Sequence, residues 1–379
     1  MISTTAWVLH DDPTKHGLYE QEIEFPDLNE DEVLVEPLFG CWEANMTHAI
    51  EHDPVNIARL RRERRIVLGN AGVVRVLRTP SGAAGLREGD VCMFMSGAEL
   101  DRFGYITTIH GYDGRGTVGL LARRMKCRAE MLFPLPQGSR FGLEQWAAFS
   151  LRYMTAWSNW KVAFGALRLQ MEEDALPRPS VWGWGGGTTL ATLDLARRYG
   201  CDAFMLSGSP DHLEEIRRTG VEAIDRRPFA DLAFDDERFE ADFAYRADYI
   251  RAERAFLKLV REKSGEDGAS IVVDYIGSPV YRASLRALGR QGVITTAGWK
   301  RGMELATNRA NECIRRHIHV YTHAARRGED APAVAFAEEH GWMPEVSSVY
   351  PWEAVPSLAS DYAAGQVRSY FPIFSVNPV

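Results

Sequence analysis

The chain is poor in the residues that would make it a disulfide scaffold, a zinc ribbon or a membrane protein. Of 379 residues only five are cysteine (Cys41, Cys92, Cys127, Cys201, Cys313), an odd and scattered set without a CxxC pair. That pattern excludes a zinc ribbon and gives no sign of a disulfide framework, so reduced thiols in a cytoplasmic protein are expected. No apolar run reaches the roughly 20 residues that span a bilayer. The N-terminal MISTTAWVLHDDPTKHG lacks a basic stretch followed by an apolar one, so no signal peptide is expected. Positive charge is also in deficit: 44 Lys and Arg against 52 Asp and Glu give a net charge of −8. Nucleic acid and anionic membranes are therefore poor candidates for the main partner. Internal repeats and low-complexity segments are missing too.

What is present suits a globular protein of one large or two ordinary domains, with 45% hydrophobic and 25% charged residues. Residues 1 to about 150 read as strands and turns: Val33 to Val35, then Ile66 to Leu77, then GLREGDVCMF. From Phe141 the period becomes helical, through GLEQWAAFSLRYMTAWSNWKVAF. Later strands are expected at Asp202 to Ser207, Ile271 to Ile276 and Val293 to Gly298. Helices are expected at His212 to Arg218, around Ile250 to Lys263 and at Val280 to Leu288, with a helix and a closing strand in PWEAVPSLASDYAAGQVRSYFPIFSV. Strands alternating with helices imply a parallel, doubly wound sheet.

The rest of the chain is organised around Ser180 to Gly200, SVWGWGGGTTLATLDLARRYG. Val181 and Trp182 read as a buried strand, the glycines at 183, 185, 186 and 187 as a turn, and the residues from Thr188 as a helix that stops near Gly200. Strand, glycine turn and helix is the context a dinucleotide fingerprint requires, with a pyrophosphate on the helix N-terminus. Counted from Gly183, the third glycine of the fingerprint falls on Thr188, so a purely structural glycine turn is the competing reading.

This order of elements resembles the medium-chain dehydrogenase/reductase superfamily over nearly the whole chain, and within it the crotonyl-CoA carboxylase/reductase branch of enoyl reductases. The resemblance rests on VWGWGGGTTLATLDLARRYG, TGVEAIDRRPF, the long insertion before IVVDYIG, HGYDGRGTVG, VYTHAA and SSVYPWEAVPSLASDYAAGQV. It implies an α/β protein: a GroES-like β-rich catalytic domain from residues 1–152 and 320–379, and a Rossmann cofactor domain from 153–319. Thr189 takes a place usually held by glycine. The implied cofactor site comprises Thr155, Gly183, Gly185, Gly186, Gly187, Thr188, Thr189, Ser207, Ser209, Arg226 and Gly298. Zinc relatives have a Gly-His-Glu where this chain reads Gly69-Asn70-Ala71, which leaves Cys41 with no second-site ligands and implies a zinc-independent enzyme.

The second Rossmann strand ends in Ser207-Gly208-Ser209, with no carboxylate for a ribose hydroxyl. Arg217, Arg218, Arg226 or Arg227 can counter a 2′-phosphate, so NADPH is the expected cofactor. By resemblance, Tyr112 and Asp113 stand where similar enzymes have an aromatic residue and a glutamate, His323 where they have a histidine, and Glu43 or Asn45 where they have an asparagine. The expected reaction is reduction of an activated C=C bond in an enoyl thioester or enone, with His323, Glu43 or Tyr112 as acid. An acidic Glu43 beside the trapping site would disfavour a carboxylated product. The alternatives are a carbonyl/alcohol oxidoreductase on a sugar- or cyclitol-like metabolite, a reductive carboxylase of enoyl-CoA, and a non-catalytic NADPH sensor. The basic run Arg59 to Arg65 reads either as a solvated face or as a grip for a CoA phosphate. The ten tryptophans read as core or as the walls of a bulky pocket. By resemblance, Val293 to Gly298 lies near the sheet edge that related enzymes use to join two Rossmann domains, which implies a homodimer or homotetramer.

Overall fold

The computed structural model describes residues 1–12, 14–80, 85–296, 305–322 and 325–379. It divides into two compact units, one of residues 1–154 with 326–379 and one of residues 155–325. Among the described residues no helix is long and apolar enough to cross a membrane.

The first unit opens with the antiparallel hairpin β1 (Ile2–His10) and β2 (Leu18–Phe25), in which Ala6 pairs with Gln21. Strand β3 (Glu32–Cys41) leads directly into α1 (Ala44–Glu51), followed by α2 (Ile57–Arg61) and β4 (Arg65–Ile66). Next come β5 (Ala71–Arg78), β6 (Val91–Met95), β7 (Gly97–Leu100), β8 (Ile106–Ile109), β9 (Met125–Arg128) and β10 (Leu132–Pro134). The helical stretch predicted from residue 141 begins as α3 (Leu143–Ala148), loosens into a π-turn at Phe149–Tyr153 and resumes as α4 (Met154–Arg168).

In the second unit β11 (Ser180–Trp184), α5 (Gly187–Arg198), β12 (Asp202–Ser207), α6 (Pro210–Arg218) and β13 (Glu222–Asp225) form one run of strand-helix pairs. The charged stretch after Arg226 carries α7 (Asp236–Ala241) and the long α8 (Phe243–Ser264), whose N-cap Asp242 accepts from the amides of Ala244 and Tyr245. Then follow β14 (Ala269–Asp274), α9 (Ser278–Ala287), β15 (Leu288–Thr296) and β16 (His319–Thr322). All six strands are parallel, in the order β13-β12-β11-β14-β15-β16. The order reverses between β11 and β14, the crevice where dinucleotides bind at the carboxyl ends of such sheets. The strand expected near the edge, β15, is hydrogen-bonded on both sides, and β16 is the outermost. Residues 297 and 298 of that expected strand lie outside the described residues.

The chain returns to the first unit through α10 (Asp330–His340), β17 (Val349–Tyr350), α11 (Val355–Ala363) and β18 (Ile373–Ser375). Strand β18 joins the sheet β10-β6-β5-β3-β18-β17, with Ile373 opposite Cys41, so the last residues complete the sheet that ends at α1. Trp42, Trp146, Trp160, Trp182 and Trp342 are fully buried, which assigns these tryptophans to the cores.

Gly183 explains how α5 can lie so close to β11. A Cβ added there would stand 2.6 Å from Thr189 Cγ2 and 2.9 Å from Leu193 Cδ1. Gly183→Ala should destabilise the protein by about 1–3 kcal/mol, the usual range for overpacking. The check is a denaturant midpoint, and an unchanged midpoint would refute this account of the turn.

Candidate functional site

The second unit presents a helix N-terminus prepared for an anion. Gly185 takes φ +143°, a conformation side chains rarely adopt, and an added Cβ would meet Thr189 Oγ1 at 2.2 Å. Gly186 caps α5 without any side-chain hydrogen bond, so the first amides of the helix meet no capping acceptor. Thr189, fully buried, donates its hydroxyl proton to Trp184 O at 3.0 Å and packs its methyl on Gly183. The hydroxyl thereby pins the helix to the strand. Thr188 is only half-buried. It is Thr189, then, that takes up the third glycine's packing position.

At the end of β12 the turn Ser207-Gly208-Ser209 is held locally: Ser209 N donates to Ser207 Oγ at 3.4 Å, and Ser209 Oγ caps α6 by accepting from His212 N. Arg226 donates its backbone N–H to Ser207 O at 3.0 Å, and its side chain lies over Gly208, with Nε 3.2 Å from where a Cβ would be. The other three candidate arginines are engaged. Arg227 pairs with Asp225, and Arg217 and Arg218 face Glu214 at 3.6 and 4.0 Å. Among the described residues Arg226 makes no ion pair. Thr155, on α4, lends its carbonyl to Asn159 Nδ2 at 2.9 Å, and Asn159 Oδ1 accepts from Thr295 Oγ1. Gly298 lies outside the described residues.

Sequence reasoning missed Asp274, at the end of β14. Its Oδ1 accepts from the amides of Ile276 and Gly277 at 2.8 and 3.0 Å, which shapes the turn into α9. Among the described residues its Oδ2 is buried without a partner. Burial pushes this carboxyl up to about 6, against the pull of the two amides.

In the first unit, Glu43 stands between β3 and α1 as the N-cap residue of α1, yet its carboxylate is not used as a cap. Both its oxygens accept from Arg152 Nε at 2.9 Å. The same guanidinium donates to Trp42 O at 2.5 Å and to Tyr370 O. Burial pushes the Glu43 carboxyl up and Arg152 pulls it back, and burial likewise pushes up the Cys41 thiol beside it. Glu43 is thus committed to an ion pair rather than presented as a free acid. Arg152 was missed too; the only signal was a lone arginine within an apolar helical run.

Tyr112 and Asp113 ride on a loop clamped from beneath. Arg61 lies at 2% exposure and donates to Tyr112 O at 3.2 Å and Thr117 O at 2.8 Å, while Glu63 holds Arg61 and accepts from Gly116 N. The basic run is therefore not uniform, and Arg61 is unavailable as a phosphate grip. Asp113 Oδ1 accepts from Ile109 N at 2.5 Å, closing the loop. Tyr112 is buried beside Trp42, Met46 and Leu68, and burial pushes its phenol up to about 12. Asn45 lies in the first turn of α1. His323 lies outside the described residues. The first unit thus brings Trp42 and Tyr112 into one cluster, whereas Thr155 and the glycine turn belong to the second. Around Cys41, Gly69-Asn70-Ala71 contributes no imidazole or carboxylate. Among the described residues no three His, Cys, Asp or Glu side chains gather as a metal set would.

The first unit, built from residues 1–154 and 326–379, has a GroES-like β-rich fold, and the second, with its six-stranded parallel sheet, has a Rossmann fold. Among solved structures the chain is similar to the crotonyl-CoA carboxylase/reductase AntE in complex with NADP. That match has 20% identity and a TM-score of 0.81 and covers 98% of this chain and 94% of that one. It is similar as well to the 2-octenoyl-CoA carboxylase reductase CinF in complex with NADP and 2-octenoyl-CoA, at 18% identity and TM-score 0.79, over 98% and 87% of the two chains. An NAD-dependent alcohol dehydrogenase matches at 21% identity and TM-score 0.75, over 98% and 100%. No protein-family model matches the sequence, nor does any curated protein. At these identities the likeness establishes the fold.

Two outcomes follow from the buried charges. Arg152→Met strands the Glu43 carboxyl and should cost about 3–5 kcal/mol, and adding Glu43→Gln should return part of it. A double variant no more stable than Arg152→Met would refute the pairing. For Asp274 the folded value lies above the ordinary 3.8, so its proton stabilises the fold fully below about pH 4 and this is lost as pH rises through about 6. The loss is at most about 3 kcal/mol, at 1.36 kcal/mol per pH unit. Asp274→Asn should therefore gain stability relative to the unaltered protein between pH 4 and pH 7. Parallel pH profiles in urea unfolding would contradict this.

Proposed function

We propose that the chain is a zinc-independent, NADPH-dependent reductase of an activated carbon–carbon double bond. The observation that carries the cofactor choice is Arg226, unpaired and laid over Gly208 at the end of a strand that has no carboxylate. A 2′-phosphate there meets a guanidinium with its fork free, and the one carboxylate opposite Ser207, Asp225, is paired with Arg227. The glycine turn suits a pyrophosphate, because Gly185 holds a φ of +143° that side chains rarely adopt and the first amides of α5 meet no side-chain cap. When bound, NADPH supplies the hydride for the substrate's Cβ.

This chain's own residues then have to bind, orient and protonate. Tyr112 keeps its proton at neutral pH, since burial raises its phenol, and an enolate is basic enough to take it. Its position is held by the Arg61 clamp rather than by Asp113 alone. Glu43, paired with Arg152, is held just before the start of α1. The names of AntE and CinF support enoyl thioesters as the substrate class. Reductive carboxylation is a second reading that one observation favours: with Glu43 in an ion pair, the repulsion expected against an anionic product is largely cancelled. A product heavier by one carbon dioxide in the presence of bicarbonate would select it.

The cofactor reading is tested by fluorescence titration. NADPH should bind at least about tenfold tighter than NADH, worth roughly 1.4 kcal/mol. Arg226→Gln should weaken NADPH by that factor while leaving NADH unchanged. Equal weakening of both would sink the reading. Loss of NADPH absorbance with enoyl-CoA and enones, but not ketones, tests the reaction.

A further inference from the structure

Asn70 stands apart from every other polar group of the first unit. It is 1% exposed, and among the described residues neither its Nδ2 nor its Oδ1 has a hydrogen-bond partner. Because both ends are unpaired, exchanging the amide oxygen and nitrogen changes nothing. A buried donor and acceptor left unmade is a standing cost that a leucine of similar size would not carry.

The backbone around Asn70 places it beside the candidate residues of the first unit. Gly69, just before it, takes φ +117°, and Gly69 O lies 2.3 Å from where a Cβ of Gly111 would stand, so the loop bearing Tyr112 runs hard against this segment. The β3–β5 ladder pairs Gly40 with Gly72, so Asn70 lies just past its end, beside the junction where β3 gives way to α1. At that junction Asn45 Oδ1 is also buried, without a partner among the described residues. Trp42, Met46, Leu68 and Tyr112 form one apolar cluster here.

We propose that Asn70 is a specificity-determining residue that reads a substrate offering a hydrogen-bond acceptor and a donor on neighbouring atoms. An enone or enoyl thioester carrying an α-hydroxyl, or an α,β-unsaturated amide, has both, whereas the unsubstituted enone or thioester offers only the acceptor and leaves Asn70 Oδ1 unmet. A site built to bond a hydroxyl rejects the analogue that lacks it by far more than a missing methylene would cost. The proposal rests on the double-bond reductase reading and narrows its substrate class.

The experiment compares cyclohexenone with its α-hydroxylated analogue, in the NADPH-loaded protein and in Asn70→Leu, with Tm and NADPH affinity measured alongside. The unaltered protein should favour the hydroxylated compound in kcat/KM by at least about tenfold. Asn70→Leu should abolish that preference while holding NADPH affinity and keeping or raising Tm. A preference that survives in Asn70→Leu, or that never exists, overturns the proposal. So does a fall in Tm with unchanged kinetics, which would mark an internal water on Asn70. Should neither compound consume NADPH, the reductase reading fails by itself. Ligand-observed NMR of the hydroxylated compound then decides: binding lost in Asn70→Leu sustains the recognition role, and binding retained or absent removes it. Asn70→Ala serves as the second variant, and failure of both to fold assigns Asn70 to structure.

Discussion

A guanidinium removed from water must have its donors met, and in the first unit Arg152 sets the terms on which three segments come together. It holds both oxygens of Glu43, the carbonyl of Trp42 and the carbonyl of Tyr370. Those partners belong to the link between β3 and α1 and to the stretch leading into β18, while Arg152 itself sits in the π-turn. The π-turn is an insertion that helices tolerate mostly where function demands it. Here one buried cation ties the start of α1 to the last strand of the sheet. The Coulombic gain of such a pair does not by itself exceed its desolvation; the backbone carbonyls supply the remaining bonds.

The same economy of polar groups shapes the loop of residues 110–119. Four glycines leave it little intrinsic stiffness, and Gly111 and Gly116 take positive φ. Its shape comes from Arg61 beneath it, from Glu63 on the Gly116 amide, and from Asp113 reaching back to Ile109. An arginine in a run of basic residues thus acts as an internal clamp. Its neighbours Arg62, Arg64 and Arg65 remain at the surface.

In the second unit a threonine does the work expected of a glycine. Thr189 fits against β11 because Gly183 has no side chain, and its hydroxyl returns a hydrogen bond to the strand it crowds. Asp274 closes the neighbouring turn at the switch point of the sheet with one oxygen and leaves the other buried and unmet. Both residues stand at the carboxyl ends of the strands, where a Rossmann sheet receives its ligand.

Hydrophobic periodicity and glycine placement are local properties, and they made the elements of the Rossmann unit legible: β12 spans the expected Asp202 to Ser207, and α5 begins one residue before the expected start. The lack of a carboxylate after β12 was equally plain in the residues. Which of four arginines stands free was not, because ion pairing with Asp225 and Glu214 depends on side chains meeting in space. Nor could the sequence reveal that β15 is flanked by β16, that Glu43 is neutralised by an arginine over a hundred positions away, or that Asn70 goes unpaired. Secondary structure follows from neighbours along the chain. Charge state and hydrogen-bond satisfaction follow from neighbours across it, and only the tertiary structure decided those.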